Sequence, residues 1–240
     1  MRTSSRFPAM GAGVRDWYGK FSGTLLLVAG AAILMGIITA EALYPAAYST
    51  HRNTVSHLAA MDDIIVRQPS AAIINWTMII AGLVVIVAAY YLYRALQRKA
   101  IPIATALLGI GMVGVGIFPA NHGNTHTLFA MLAFAAGSIA AILSWKVLTG
   151  PLRYICLLLG TAALVSMILS TDLFIDWAPV ARLGEGGIER WIVYPVVLWM
   201  VTFGAWLASR PAAVQAKGAP PQQETTPALP EPAGYHATSR

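Results

Sequence analysis

The stretch "AIPIATALLGIGMVGVGIFPANHGNTHTLFAMLAFAAGSIAAILSW", residues 100–145, decides the fold of this chain. It contains no aspartate, glutamate, lysine or arginine, and a helix needs roughly 20 apolar residues to cross about 30 Å of hydrocarbon. The stretch is long enough for two crossings, and the polar segment 119–125 divides it near its middle. It therefore predicts two transmembrane helices joined by a short turn.

Four further uncharged intervals are each long enough for one crossing. They span residues 21–40, 68–93, 154–171 and 191–209. Hydrophobic residues make up 57% of the 240-residue chain and charged residues only 11%, whereas soluble domains are about 25% charged. Lipid offers no hydrogen-bond partner to backbone groups, and the intervals lack the alternation of barrel strands, so each must be a helix. We predict an all-α polytopic membrane protein with six transmembrane helices in one domain, residues 19–209.

The distribution of positive charge predicts the orientation of the helices. With a cytoplasmic N-terminus, twelve of the 16 lysine and arginine residues fall on the cytoplasmic side, as the positive-inside rule requires. Both termini are then cytoplasmic, with a basic segment 1–18 and a proline-rich tail 210–240 that we expect to be disordered. The net charge of +6 fits this topology and contact with anionic lipid of the inner (plasma) membrane, not nucleic-acid binding.

Two of the three outer connections, 44–70 and 172–189, are long. Loops longer than about 12–15 residues are usually functional or disordered, so we expect the function at the outer face. The first loop reads "STHRNTVSHLAAMDD", and the helical spacing of 54–60 predicts a short interfacial helix with Asn53 and His57 on one face. Four residues form a predicted polar loop cluster at this face: His51, Asn53, Asp62 and Asp172.

The second connection places His122 and His126 four residues apart, which on one helix points both imidazoles the same way. If the fourth crossing begins only near Thr125, the two side chains do not converge. In the third connection, Glu189 and Arg190 are predicted at the N-terminal end of the sixth helix. There the helix dipole favours a carboxylate, and the arginine would hold an anionic headgroup.

Three interpretations fit these residues, two catalytic and one structural. His57, His122 and His126 with a carboxylate would suit a catalytic zinc ion that lowers the pKa of a bound water. Alternatively, Ser56 is a nucleophile. Adjacent residues on a helix do not face each other, so we expect its base to be His126 or His122 rather than His57. In the third interpretation the polar groups only satisfy one another and cap helices.

Three short motifs, "NTVSHLAA", "GIFPANHGNTHTLFA" and "GEGGIERW", resemble those of the DUF998 family of six-helix prokaryotic membrane proteins. The resemblance covers roughly residues 20–208, and it implies the six-helix fold but no chemistry, because the function of the family is unknown. In relatives an acidic residue often follows the serine, where this chain has His57. The matching positions are Asn53, Ser56, Gly116, Phe118, Pro119, His126, Glu189 and Arg190.

The leading functional hypothesis is a hydrolase-like enzyme that acts on a lipid or amphipathic substrate at the outer membrane face. Its predicted catalytic residues are Ser56, His57, His126, Glu189 and Arg190. The alternative is a non-catalytic subunit or scaffold that packs against partner membrane proteins through small-residue faces such as "GIGMVGVG". A transporter ranks lower, because almost no charge is predicted deep within a crossing.

Overall fold

The computed structural model describes residues 11–60, 66–96, 98–171 and 177–210, and these parts of the chain form six long helices and no strand. The helices are α1 (Ala12–Ala42), α2 (Ser70–Ala95), α3 (Ala100–Ile117), α4 (Asn124–Ser144), α5 (Leu152–Leu169) and α6 (Ala178–Ala208). All six are long and apolar enough to cross a membrane. The predicted all-α, six-helix, multi-pass membrane protein is confirmed, including the division of 100–145 into two helices.

Five of the helices enclose the interior of the bundle. Helices α1 to α4 each pack on the next in the chain, and α6 returns to pack on both α1 and α4. Helix α5 packs on α4 and α6, outside this ring. The interior is therefore lined by α1, α2, α3, α4 and α6.

Small residues let these helices approach closely. A Cβ atom added to Gly23 of α1 would lie 2.6 Å from the backbone of α6, and one added to Gly109 of α3 would lie 2.8 Å from the backbone of α2. Glycine is needed at such contacts between helices in lipid. The glycines of "GIGMVGVG" face α2 and α4, so this segment packs within the bundle.

The two long connections differ from their predicted form. Helix α6 begins at Ala178, and a kink at the non-helical Gly184 (φ 73°, ψ 165°) divides it into a short first part and a long second part. Glu189 and Arg190 lie close to the beginning of the second part. The hydropathy signal missed this first part of α6 because charges and glycines interrupt it. Among the residues of the first loop that the structure describes, only the 3₁₀ turn Ser56–Leu58 is helical. The turn does not form an interfacial helix, because Leu58 and the two alanines after it are buried.

The even number of crossings places the described ends of the chain at one end of the bundle. There Arg94, Arg153 and Arg210 lie over the rings of Tyr18, Trp145 and Trp206 at 5.3, 3.7 and 3.7 Å. We call this the basic end, and the opposite end, which holds the first loop and the turn 118–123, the loop end. Most of the two predicted terminal segments, residues 1–10 and 211–240, lies outside the described residues. The same holds for Asp62 and Asp172.

Candidate functional site

A reciprocal pair of hydrogen bonds shapes the turn that carries Ser56. The N–H of Thr54 donates to Nδ1 of His57, and the N–H of His57 donates to Oγ1 of Thr54, both at 3.1 Å. This is the arrangement of a capping box, with histidine in the place of the usual glutamate. His57 therefore stabilises the turn, and its Nδ1 is occupied by a backbone donor.

The turn places Ser56 between two other predicted residues. Its Oγ is hydrogen-bonded to Oε1 of Glu189 at 2.8 Å and lies 3.2 Å from Nε2 of His126. The second oxygen of Glu189 accepts the N–H of Val55 at 2.7 Å. Glu189 is 9% exposed and His126 8%. Three elements distant in sequence thus meet at one half-buried hydroxyl group.

His126 is oriented by a backbone carbonyl. Its Nδ1 lies 2.9 Å from the carbonyl oxygen of Phe118, the first residue after α3. Pro119 follows, and because proline cannot continue the helix this carbonyl is free to accept. A carbonyl only accepts, so Nδ1 carries the proton, and Nε2 faces Ser56.

A cavity of about 90 Å³ opens from these three side chains into the ring of five helices. Apart from Ser56, His126, Glu189 and Asn75, its lining is apolar. Residues from all five helices contribute, among them Ile33, Met78, Met112, Phe134 and Met200. Methionine side chains adapt readily to the shape of an apolar ligand, so the lining suits a hydrocarbon chain.

Arg190, the next residue of α6, points away from the cavity. One terminal nitrogen donates to the carbonyls of Thr50, Asn53 and Gly186 at 3.1, 2.8 and 2.8 Å. The other donates to the carboxylate of Glu41 and to the hydroxyl of Tyr48.

Arg190 is only 8% exposed, and its Nε is buried without a partner among the described residues. The side chain that was predicted to hold an anionic headgroup donates through its terminal nitrogens to acceptors of the protein. It ties the first loop to α1 and α6.

Two glycines let the first loop lie directly on α6. A Cβ atom on Gly186 would come within 2.3 Å of the carbonyl oxygen of Asn53 and 2.5 Å of that of Thr50. Gly184 adopts a positive φ of 73° and touches the backbone of His51. The first loop thus packs directly on the "GEGG" part of the third motif.

The predicted histidine set for zinc does not assemble. His122 lies in the 3₁₀ turn Ala120–His122, separated from α4 by Gly123 at φ 51°, and it is exposed with Nδ1 3.2 Å from Asn121. No group of three or more histidine, cysteine, aspartate or glutamate side chains that could hold a metal ion occurs in the described parts of the chain. The two histidines do not converge because α4 begins only at Asn124.

The two described members of the polar loop cluster, Asn53 and His51, hold the first loop in place. Asn53 Oδ1 accepts the N–H of Ser49 at 2.9 Å, and exposed His51 lies with Nε2 3.2 Å from the carbonyl of Arg182. Sequence reasoning missed Glu41 and Tyr48 as partners of Arg190, and Asn75 as a lining residue. The only signal for Glu41 was a single carboxylate directly after a long uncharged run.

The family model described as "Protein of unknown function (DUF998)" matches residues 27–206. The match contains all three motifs, and the structure brings their residues together at the loop end. Comparisons with curated proteins and with solved structures found no match. Six helices that can cross a membrane and a match over most of the chain lead to one conclusion: this protein belongs to the DUF998 family.

Proposed function

We propose that this membrane protein is a serine hydrolase that cleaves an acyl ester of an amphipathic substrate. One observation carries the proposal: Oγ of Ser56 lies 3.2 Å from Nε2 of His126 at the head of an apolar cavity. A nucleophile within reach of a base that a third group orients is the general signature of covalent catalysis. The third group here is the carbonyl of Phe118.

The proposed reaction has two halves. Oγ of Ser56 bonds to the ester carbonyl carbon, its proton passes to Nε2 of His126, and the alcohol leaves with that proton. Water then attacks the acyl-serine and gives a proton to His126, which returns it to Oγ as the carboxylic acid is released. The hydrocarbon chain lies in the cavity, and the ester lies at its polar head.

The loop end is predicted to face outward from the inner membrane, so the proposed substrate is one that the outer leaflet supplies. Arg190 is not available to bind a charged headgroup, since Glu41, Tyr48 and three carbonyls occupy its terminal nitrogens. The proposed selectivity therefore comes from the acyl chain and the ester.

Labelling with an alkyl fluorophosphonate tests the proposal. This probe bonds to an activated serine, and peptide mass spectrometry of the detergent-purified protein should locate it on Ser56. Ser56→Ala should abolish labelling, and His126→Ala should slow it about 10²- to 10⁴-fold, the usual contribution of a general base.

Ser22→Ala is the matched control. The Ser22 hydroxyl is buried, donates to the carbonyl of Ala88 and does not line the cavity. Its replacement should leave labelling unchanged. Absence of label from Ser56 in the wild-type protein, or equal labelling of the His126→Ala variant, would refute the proposal.

A further inference from the structure

The Ser56 hydroxyl has one proton but two neighbours that ordinarily accept. Nδ1 of His126 donates to Phe118, so in neutral His126 the other nitrogen, Nε2, can only accept. An ionised Glu189 also only accepts. With both groups in these forms, one of the two contacts at Oγ would join two acceptors, yet the contacts are 2.8 and 3.2 Å. The three side chains together therefore carry one proton more than they would with a neutral His126 and an ionised Glu189.

We infer that Glu189 is a protonated carboxylic acid that donates through Oε1 to Ser56, so that the serine proton is directed at His126. The chain of donors then runs in one direction, from Glu189 to Ser56, from Ser56 to His126, and from His126 to the carbonyl of Phe118. The second oxygen of Glu189 still accepts the N–H of Val55. Every donor and acceptor in the row is used, and no member carries a charge.

An alternative with the same total number of protons is an ionised Glu189 beside a doubly protonated, positively charged His126. Charging both groups costs desolvation, because they are 9% and 8% exposed and burial opposes a charge pair. The nearest positive charge, Arg190, is already paired with Glu41. The neutral form is therefore favoured.

The other titratable groups near Glu189 are few. Tyr48 of the first loop and Tyr194 of α6 interact with it electrostatically, and His57 lies in the same turn as Ser56. The cavity-lining residues of α2 and α3 carry no charge. None of these neighbours supplies a cation that would hold Glu189 ionised.

A protonated Glu189 would assist the second half of the proposed reaction, and this part of the inference rests on the proposed function. When the acyl-serine is hydrolysed, the bond from the acyl carbon to Oγ breaks and its electron pair returns to Oγ. A donor at 2.8 Å stabilises that developing charge. The proton that Oγ finally takes comes from Nε2 of His126, which received it from the attacking water.

Infrared difference spectroscopy tests the protonation state directly and needs no substrate. The resting protein at neutral pH should show the C=O stretch of a carboxylic acid, absent from Glu189→Gln and shifted in Ser56→Ala, which removes the acceptor. The band should be unchanged in Glu185→Gln, a matched control at an exposed position of the same helix. A carboxylate signal for Glu189 would overturn the inference even if Ser56 reacts.

The fluorophosphonate rate at neutral pH supplies the second measurement. In Glu189→Gln the side-chain amide can donate to Oγ while its carbonyl accepts from Val55, so labelling should persist. Glu189→Ala should label about tenfold more slowly, as expected for the loss of one hydrogen bond.

The outcomes separate the two claims. A carboxylic acid band without labelling of Ser56 would overturn the proposed function and leave the protonated Glu189 intact. Labelling that disappears in Glu189→Gln while the variant keeps its helical content would overturn the inference and leave the serine nucleophile intact. If the glutamine variant does not fold, the carboxylic acid band in Ser56→Ala decides. A shift of that band relative to wild type would support a protonated Glu189, and an unshifted band would overturn the inference.

Discussion

Glu189 and Arg190 are neighbours on α6, both are buried, and they lie in opposite polar environments. Arg190 makes five hydrogen bonds, and all five acceptors belong to the protein. Glu189 and His126 both contact the Ser56 hydroxyl at the head of a cavity. The first arrangement uses its polar atoms to hold the fold, whereas the second leaves a reactive group facing open space.

The difference shows which buried polar groups indicate function. Charged residues within a membrane helix are costly and usually mark a functional site, but here only one of the two adjacent residues borders the cavity. The other joins the first loop to α1 and α6, and so positions Ser56 indirectly. Replacing members of each arrangement should therefore separate loss of stability from loss of reactivity.

Arg190→Ala should have the largest effect on stability. The replacement leaves the Glu41 carboxylate, the Tyr48 hydroxyl and three carbonyls without their donor, and breaking a buried ion pair in this way costs about 3–5 kcal/mol. Equilibrium unfolding in mixed detergent micelles, followed by circular dichroism, measures the change.

Arg182→Ala is the control, because that side chain is exposed on the same helix and should change the free energy of unfolding by less than about 0.5 kcal/mol. Equal stability of the two variants would show that the five hydrogen bonds of Arg190 do not hold the loop.

Gly186→Ala should have an intermediate effect on stability and should also disturb the Ser56–His126 pair. The added Cβ would meet two backbone oxygens at 2.3 and 2.5 Å, so the first loop must move away from α6. Overpacking of this kind costs up to about 3 kcal/mol, and the displaced loop should separate Ser56 from His126.

The matched control for that prediction is Gly187→Ala. Its Cβ would meet only the flexible side chain of Leu183, which can rotate away. We expect slower fluorophosphonate labelling in Gly186→Ala and unchanged labelling in Gly187→Ala. The same labelling rate in both variants would contradict the conclusion that Gly186 lets the first loop pack directly on α6.

The six crossings could be predicted from the sequence because length and charge content are properties of each segment alone. The pairing of Ser56 with His126 was also within reach, since Ser56 and His57 are adjacent and cannot face each other on a helix. The partnership of Glu41 with Arg190 was not, because 149 residues separate them and nothing local to either residue identifies the other.

The errors around α6 have a related cause. Hydropathy placed the start of the sixth crossing at residue 191, because Glu185, Glu189 and Arg190 interrupt the apolar pattern. In the structure the chain is already helical before residue 191, and Glu189 and Arg190 are buried by protein whereas Glu185 is exposed. Hydropathy responds to charge content, so it does not detect a helical segment that carries these three charges.

Tyr48→Phe should have the smallest effect, and one that depends on pH. The Tyr48 hydroxyl accepts from Arg190 and donates to the carbonyl of Thr54, both at 2.7 Å, so its loss should cost about 1.5 kcal/mol at neutral pH. Burial raises the pKa of Tyr48 above its ordinary value, although Arg190 partly opposes the shift.

A raised pKa in the folded state means that folding favours the neutral phenol. This contribution is fully present below about pH 10, the ordinary pKa of tyrosine, and is lost as the pH rises towards the folded-state pKa. The wild-type protein should therefore lose more stability between neutral pH and about pH 11 than Tyr48→Phe does. Tyr93→Phe, an exposed tyrosine at the basic end, should behave as wild type. Parallel alkaline losses in all three proteins would show that Tyr48 is not held neutral by the fold.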